Sequence, residues 1–327
     1  MEIYEDSLVN KNFIFDYFDK NRACFLDIET TGLSRKYNHI YLIGLVYFNI
    51  QQNKWYLKQF FANNIKEEKD LLKEFNSFIK NFNLIITYNG DSFDLPFIKY
   101  RLEKFNINNN MINVESFDIY RKIRANSAFL NFKNLRLKTI EENLGIYRED
   151  EYSGKDCINF YHQYMNREDN ILKEKILKHN YDDLYYLVDI LKIFDVIKNI
   201  KTIFINYNGK NLNVCIEDII IVGDVFKIIC NTSSIDEEIN IIYYQDTYNI
   251  NWQSESIIID LEIKEGFITP TKKALFLDKA NLPSNIQLTD LSQYMVPDDI
   301  ILLKVENKYI VENIKNIIQK LLNKVKE

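Results

Sequence analysis

The sequence predicts a mixed α/β domain followed by a smaller β-rich one, and three observations carry that expectation. Three strand-like runs come first, Ala23–Ile28, Ile40–Phe48 and Trp55–Ala62, with turns near 33–38 and 51–53, as in an antiparallel meander. Helical and strand-like stretches then alternate to about residue 197. Beyond Asn199 the texture changes to β-branched runs separated by Asn-Gly and Gly-Asp turns, and three of the four prolines, Pro270, Pro283 and Pro297, lie there.

Each element has its own signal. Ile65–Phe82 spaces Leu71, Leu72, Phe75, Phe78 and Ile79 as a helix does. Leu84–Tyr88 reads as a buried strand, Phe93–Phe105 as a helix with Phe97, Ile98 and Leu102 on one face, and Val114–Ile119 as a strand. Helices follow around Leu135–Leu144 and Cys157–Met165, then one long helix from about Asn170 to Ile197. In the second half Lys201–Tyr207, Leu212–Val222, Val225–Asn231, Glu238–Tyr244 and Ser256–Leu261 read as strands, and Lys308–Val325 as a closing amphipathic helix. The expected boundary lies near Asn199–Lys201, giving domains 1–199 and 200–327.

Composition narrows the function classes. Aromatics at 14% and hydrophobics at 46% describe a globular chain with a large core, not a disordered one. The net charge of −6 argues against a protein that holds nucleic acid by phosphate neutralisation alone, although divalent cations can bridge carboxylates to phosphates. Cys24, Cys157, Cys215 and Cys230 have neither CxxC nor zinc-like spacing with the histidines, and read as buried hydrophobes in a reducing compartment. The N-terminal residues lack the basic and apolar regions of a signal peptide, and no run approaches 18 apolar residues. The expectation is a cytoplasmic protein with no membrane span.

Chemistry concentrates in three segments. In Phe25-Leu26-Asp27-Ile28-Glu29-Thr30-Thr31-Gly32-Leu33, Asp27 and Glu29 project to one face of a strand. Two adjacent carboxylates repel, and a divalent cation resolves that conflict. The turn Thr30, Thr31, Gly32 and Leu33 can set backbone N–H groups against a phosphate or terminal sugar. The second segment, Tyr88-Asn89-Gly90-Asp91-Ser92-Phe93-Asp94-Leu95-Pro96-Phe97-Ile98, follows a strand and opens a helix. Asp94 or Asp91 either caps that helix or reaches a metal, and Asn89 either bonds a nucleotide backbone or fills the turn. The third, His179-Asn180-Tyr181-Asp182-Asp183-Leu184, puts His179 and Asp183 four apart on one helix face, with Asp182 the rival ligand about 100° round.

Together, in this order, the segments resemble the motifs of the DEDD 3′–5′ exonuclease superfamily. The second has the form seen in proofreading domains of family B polymerases. The nearest likeness is the YprB-like ribonuclease H-like family, whose members also carry a segment similar to Asn134-Leu135-Arg136-Leu137-Lys138-Thr139-Ile140-Glu141-Glu142. The likeness covers roughly residues 20–197 and implies a ribonuclease H-like mixed sheet flanked by helices. It also implies catalytic residues Asp27, Glu29, Asp94, His179 and Asp183, with all but His179 as ligands of two Mg²⁺ or Mn²⁺ ions. Asp27 would bridge the ions, Glu29 and Asp183 would serve mainly the first, and Asp94 the second. Thr30, Thr31, Gly32, Leu33, Asn89 and Arg136 would touch the substrate, a single strand of DNA or RNA shortened from its 3′ end. One departure stands out: the superfamily's third motif is Tyr-x-x-x-Asp or His-x-x-x-x-Asp, whereas this chain has His179-x-x-x-Asp183. An imidazole is the better general base near neutral pH.

Other readings stay open. Arg121, Lys122, Arg124, Lys133, Arg136 and Lys138, interleaved with Phe129 and Phe132, suit a strand path with stacked bases, or equally a solvated face with two core phenylalanines. Arg35 and Lys36 are further candidates, and Asp118 could lie near the site. The competing function is a weakly active or inactive ribonuclease H-like scaffold for nucleic acid or a partner. The β-rich domain offers no ligand cluster, and acids such as Asp236-Glu237-Glu238 suggest a protein contact there.

Overall fold

The computed structural model describes residues 1–8, 17–20, 22–148, 152–233, 239–283 and 285–324. The chain divides into two compact units, Met1–Arg124 with Lys133–Ile193, and Ala125–Phe132 with Phe194–Glu327.

The first unit runs β1 (Glu2–Ser7), β2 (Ala23–Thr30), β3 (Ile40–Asn49), β4 (Lys54–Phe61), α1 (Glu68–Ile79), β5 (Leu84–Thr87), α2 (Asp94–Lys104) and β6 (Glu115–Asp118). It continues through α3 (Ile119–Ala125), α4 (Leu137–Asn143), α5 (Gly154–Arg167) and α6 (Asn170–Ile190). The strands form one mixed sheet in the order β1-β4-β3-β2-β5-β6. A loop over 31–39 joins β2 to β3 and a turn over 50–53 joins β3 to β4, and those strands pair antiparallel. A helix intervenes before β5 and another before β6, and the β2-β5-β6 pairs are parallel. Strand β1 has no counterpart in the sequence reading. Its charged residues suit an edge, and it lies antiparallel to β4.

Helices cover both faces. On one, Leu71, Leu72, Phe75 and Ile79 of α1 and Phe97, Ile98 and Leu102 of α2 bury against Leu26, Ile28, Ile43 and Leu45. On the other, Tyr161 and Tyr164 of α5 and Ile176 of α6 pack on Tyr41 and Phe61. Being covered on both sides, β3 is a nearly continuous buried run. The helix expected over Asn170–Ile197 is two, α6 and α7 (Ile193–Lys201), and the expected domain boundary falls within the last turns of α7. Neither glycine nor proline marks the turn at Leu191–Lys192, so the apolar periodicity runs through it unbroken.

The second unit holds α7, β7 (Thr202–Tyr207), β8 (Lys210–Val222), β9 (Val225–Thr232), β10 (Asn240–Tyr244), β11 (Tyr248–Gln253) and β12 (Ser256–Glu262). After these come β13 (Lys264–Phe267), β14 (Lys273–Asp278), β15 (Ile300–Val305), β16 (Lys308–Tyr309) and α8 (Val311–Lys324). It is β-rich, with a six-stranded sheet in the order β10-β11-β12-β9-β8-β7 and a four-stranded sheet in chain order. Ile314, Ile317, Ile318, Leu321 and Leu322 of α8 enter the same core as Phe226, Ile250 and Trp252. The expected start of that helix, Lys308, instead pairs with β15, and its expected end, Val325, lies outside the described residues. So does the acidic run Asp236-Glu237-Glu238.

The segment 125–132 bears on two readings that the sequence left open. Phe129 packs against the core of the second unit, its ring 4.8 Å from that of Tyr309. Lys308 Nζ donates to the Ser127 and Leu130 carbonyls at 2.8 and 2.7 Å, and Lys201 Nζ to Asn126 Oδ1 at 3.2 Å. Phe129 is therefore a core side chain and no stacking platform. No helix of the described chain is long and apolar enough to cross a membrane.

Candidate carboxylate site

The pleat of β2 puts Asp27 and Glu29 on the face covered by α6. Across the sheet Asp27 lies opposite Gly44 of β3, and Gly44 opposite Gln59 of β4. A side chain at Gly44 would collide with Asn180 Oδ1 and Leu184 Cδ1, so this glycine is what lets α6 approach. Through the gap comes Asn180, fully buried, whose Nδ2 donates to Asp27 Oδ2 at 2.8 Å. Its Oδ1 accepts from Gln59 Nε2 at 2.8 Å, and Gln59 also donates to the Leu177 carbonyl at 2.9 Å. This chain fixes which oxygen of Asp27 is engaged and which is left. The residue reading passed over Asn180; the signal was the adjacent glycine in an otherwise bulky strand.

Beside Asn180 on α6, and one turn further at Asp183, the geometry continues. His179 Nε2 lies 3.7 Å from Glu29 Oε1 and 3.6 Å from Asp183 Oδ2, too long for hydrogen bonds. One ligand atom from each of Glu29, His179 and Asp183 falls within 4.8 Å of the others, a grouping able to hold a metal ion. Asp182 instead pairs with Lys178. Arg148, also missed from sequence, sets its Nη1 2.5 Å from Asp183 Oδ1, and its Nε donates to Glu141 Oε2 at 3.1 Å.

Asp94 opens α2 without capping it; its Oδ1 accepts the Ile28 N–H of β2 at 3.1 Å. That bond carries the carboxylate to the strand bearing Asp27 and Glu29. The turn before it is built for close quarters. A Cβ at Gly90 would overlap Thr87, and Asn89 sits at φ +67°. Asp118 braces this turn, accepting the N–H groups of Asn89 at 2.9 Å and Asp91 at 3.1 Å, so its oxygens are spent on scaffolding. Asp91 accepts from Ser116 Oγ at 2.5 Å and pairs with Arg121 at 3.4 Å.

The loop after β2 is less open than expected. Thr30 Oγ1 donates to the Gly32 carbonyl, and Thr31 exchanges two bonds with His39, its N–H going to the His39 carbonyl at 2.9 Å. The Thr31 N–H is thus taken up within the loop, because that pair closes it. Leu33, 85% exposed, stands out into solvent. Arg136, at the head of α4, is exposed, and its N–H bonds Asn134 Oδ1.

Electrostatics follow from this crowding. Burial pushes the Asp27 carboxyl well above the usual carboxylate range, and the charges of Asp94, Asp183 and Glu29 add to it, while the Asn180 amide opposes. Glu29 is raised by burial, then by Asp183 and Asp94. Asp94 is pushed up to about 7, chiefly by burial, against the restraint of the Ile28 N–H. Buried acids that hinder each other's ionisation are relieved by a bound cation, and the donors are hard oxygens with one imidazole. Such a set suits a hard divalent cation, and Glu29, His179 and Asp183 form the grouping close enough to share one.

Residues 24–194, more than half of the chain, match the RNase_H_2 family, described as RNase_H superfamily. The chain belongs to the RNase_H superfamily. It is 27% identical over 177 residues to the Uncharacterized protein YprB of Bacillus subtilis (strain 168), covering 53% of this chain and 42% of that protein. A 52-residue stretch is 46% identical to the DNA polymerase of Ostreid herpesvirus 1, 15% of this chain and 3% of the polymerase. Among solved structures, the family B DNA polymerase from the archaeon Pyrobaculum calidifontis superposes with a TM-score of 0.42 at 13% identity, over 54% of this chain and 24% of that one. The chain therefore spans less than half the length of each of these proteins.

Proposed function

We propose that this RNase_H superfamily chain is a divalent-metal-dependent nuclease that shortens single-stranded nucleic acid from the 3′ end. The observation that carries the reading is the convergence of Asp27, Glu29, Asp94 and Asp183 from three separate segments to within electrostatic reach of one another around the end of β2. The short similarity to a DNA polymerase supports a nucleic-acid substrate.

Two divalent ions held by the four acids would supply Lewis-acid stabilisation of the phosphate and of the leaving 3′-oxygen. The chain's own part is positioning and proton transfer. Asn180 orients Asp27, the Ile28 N–H orients Asp94, and His179, beside Glu29 and Asp183, is placed to take a proton from attacking water at Nε2. A second reading makes His179 a ligand, as its grouping with Glu29 and Asp183 allows. The ion pair of Arg148 with Asp183 is what favours an inactive scaffold.

One assay separates these. Single-stranded oligonucleotide labelled at either end is incubated with Mg²⁺ or Mn²⁺, with and without EDTA. Stepwise loss from the 3′ end that EDTA stops is the expected result. Asp27→Asn and Asp183→Asn should each reduce it at least about a hundredfold while the melting curve persists. Full activity in both variants overturns the assignment, and an inert wild-type chain returns the scaffold reading.

A further inference from the structure

A cavity of about 660 Å³ runs along the face of α2 opposite its buried side chains. Its lining joins the two loops that flank the carboxylates: Arg35 comes from the loop after β2, and Asp91 from the turn before Asp94. Between them lie Pro96, Lys99, Tyr100 and Met111. We propose that this cavity is a subsite for an upstream nucleotide of the single strand whose 3′ end reaches the carboxylates. For the identity of its ligand it rests on the nuclease reading.

Three properties argue for a nucleotide. The volume lies in the range of small-ligand pockets, which run to about 300–1,000 Å³. The charges are unequally engaged. Asp91 is tied to Ser116 and Arg121, whereas Arg35 and Lys99 have no ion-pair partner among the described residues. Glu103 is the remaining acid on the wall, so the cavity offers two unengaged cations against one unengaged carboxylate. Apart from Asn109 the rest of the wall is apolar or aromatic, with Tyr100 next to Lys99, the pairing that stacks a base beside a held phosphate. Pro96 and the α2 backbone keep that wall rigid, so little ordering is needed on binding.

The test is binding, not turnover. Fluorescein-labelled oligo(dT) is titrated with the full chain in Ca²⁺ and followed by anisotropy at several salt concentrations. Lys99→Glu and Tyr100→Ala should each weaken binding about tenfold with unchanged melting temperature. Lys99→Glu should also flatten the log–log salt dependence by about 0.7, one phosphate contact on a single strand. Lys99→Arg should bind like wild type, because it keeps the charge. Unchanged affinity in both disruptive variants overturns the subsite, as does a wild-type chain that binds no oligonucleotide. Metal-dependent shortening is scored on the wild-type chain separately. A strand that is shortened by variants of unaltered affinity therefore rejects the subsite and keeps the nuclease.

Discussion

Asn180 is the residue whose removal separates positioning from ligation. It touches Asp27 and Gln59 and is itself too deeply buried to meet substrate. Asn180→Leu keeps the number and branching of side-chain heavy atoms and removes the donor, while Gln59 retains its bond to the Leu177 carbonyl. Mn²⁺ affinity by calorimetry should fall about 10- to 100-fold, the usual cost of losing an outer partner of a ligand. Affinity equal to wild type would mean that Asp27 needs no such support. Asp94 makes a second prediction. Its folded value, about 7, exceeds the ordinary value of 3.8. Between those two values the unfolded chain has released the proton that the folded chain keeps, so this group's contribution to stability falls as pH rises through the window. Metal binding must displace that proton. The rise in melting temperature caused by Mg²⁺ should therefore be small near about pH 5 and larger near about pH 8, and Asp94→Asn should flatten the trend. A shift independent of pH in the wild-type chain would contradict it. The sequence made the acids visible because each sits in a dense motif. It left Asn180 and Arg148 unseen because their importance lies in what they touch.

At the level of elements, the antiparallel β2–β4 meander, the alternation that follows and the β-rich second half were legible in apolar periodicity. Of the elements that escaped, strand β1 is an edge and carries little apolar signal. Strand β11, which alternates Tyr248, Ile250 and Trp252 with polar residues, and the apolar runs of β14 and β15 were legible in the residues and went unread. The α6–α7 turn lies within a continuous apolar pattern. The segment 125–132 is the most consequential case, since its basic and aromatic composition suited a strand path while its phenylalanine serves a core. Phe129→Ala should destabilise the second unit by about 2 kcal/mol, less than a fully buried phenylalanine costs. It should leave oligonucleotide affinity unchanged. A selective loss of affinity with unaltered melting would restore the stacking role.

For the whole molecule, a chain of the RNase_H superfamily with 47 acidic residues brings Asp27, Glu29, Asp94 and Asp183 within electrostatic reach of one another. These acids hinder one another's ionisation, and Gly44 admits the helix that brings Asp183. The second unit adds two antiparallel sheets whose core holds aliphatic side chains together with Phe226, Tyr248 and Trp252. The proposed nuclease function stands or falls with the carboxylates. Anomalous diffraction from crystals soaked in Mn²⁺ tests them most directly. Manganese density is expected within about 2.2 Å of an Asp27 oxygen, with Glu29, Asp94 and Asp183 completing the shell. Manganese absent from these four residues at saturating concentration would contradict it.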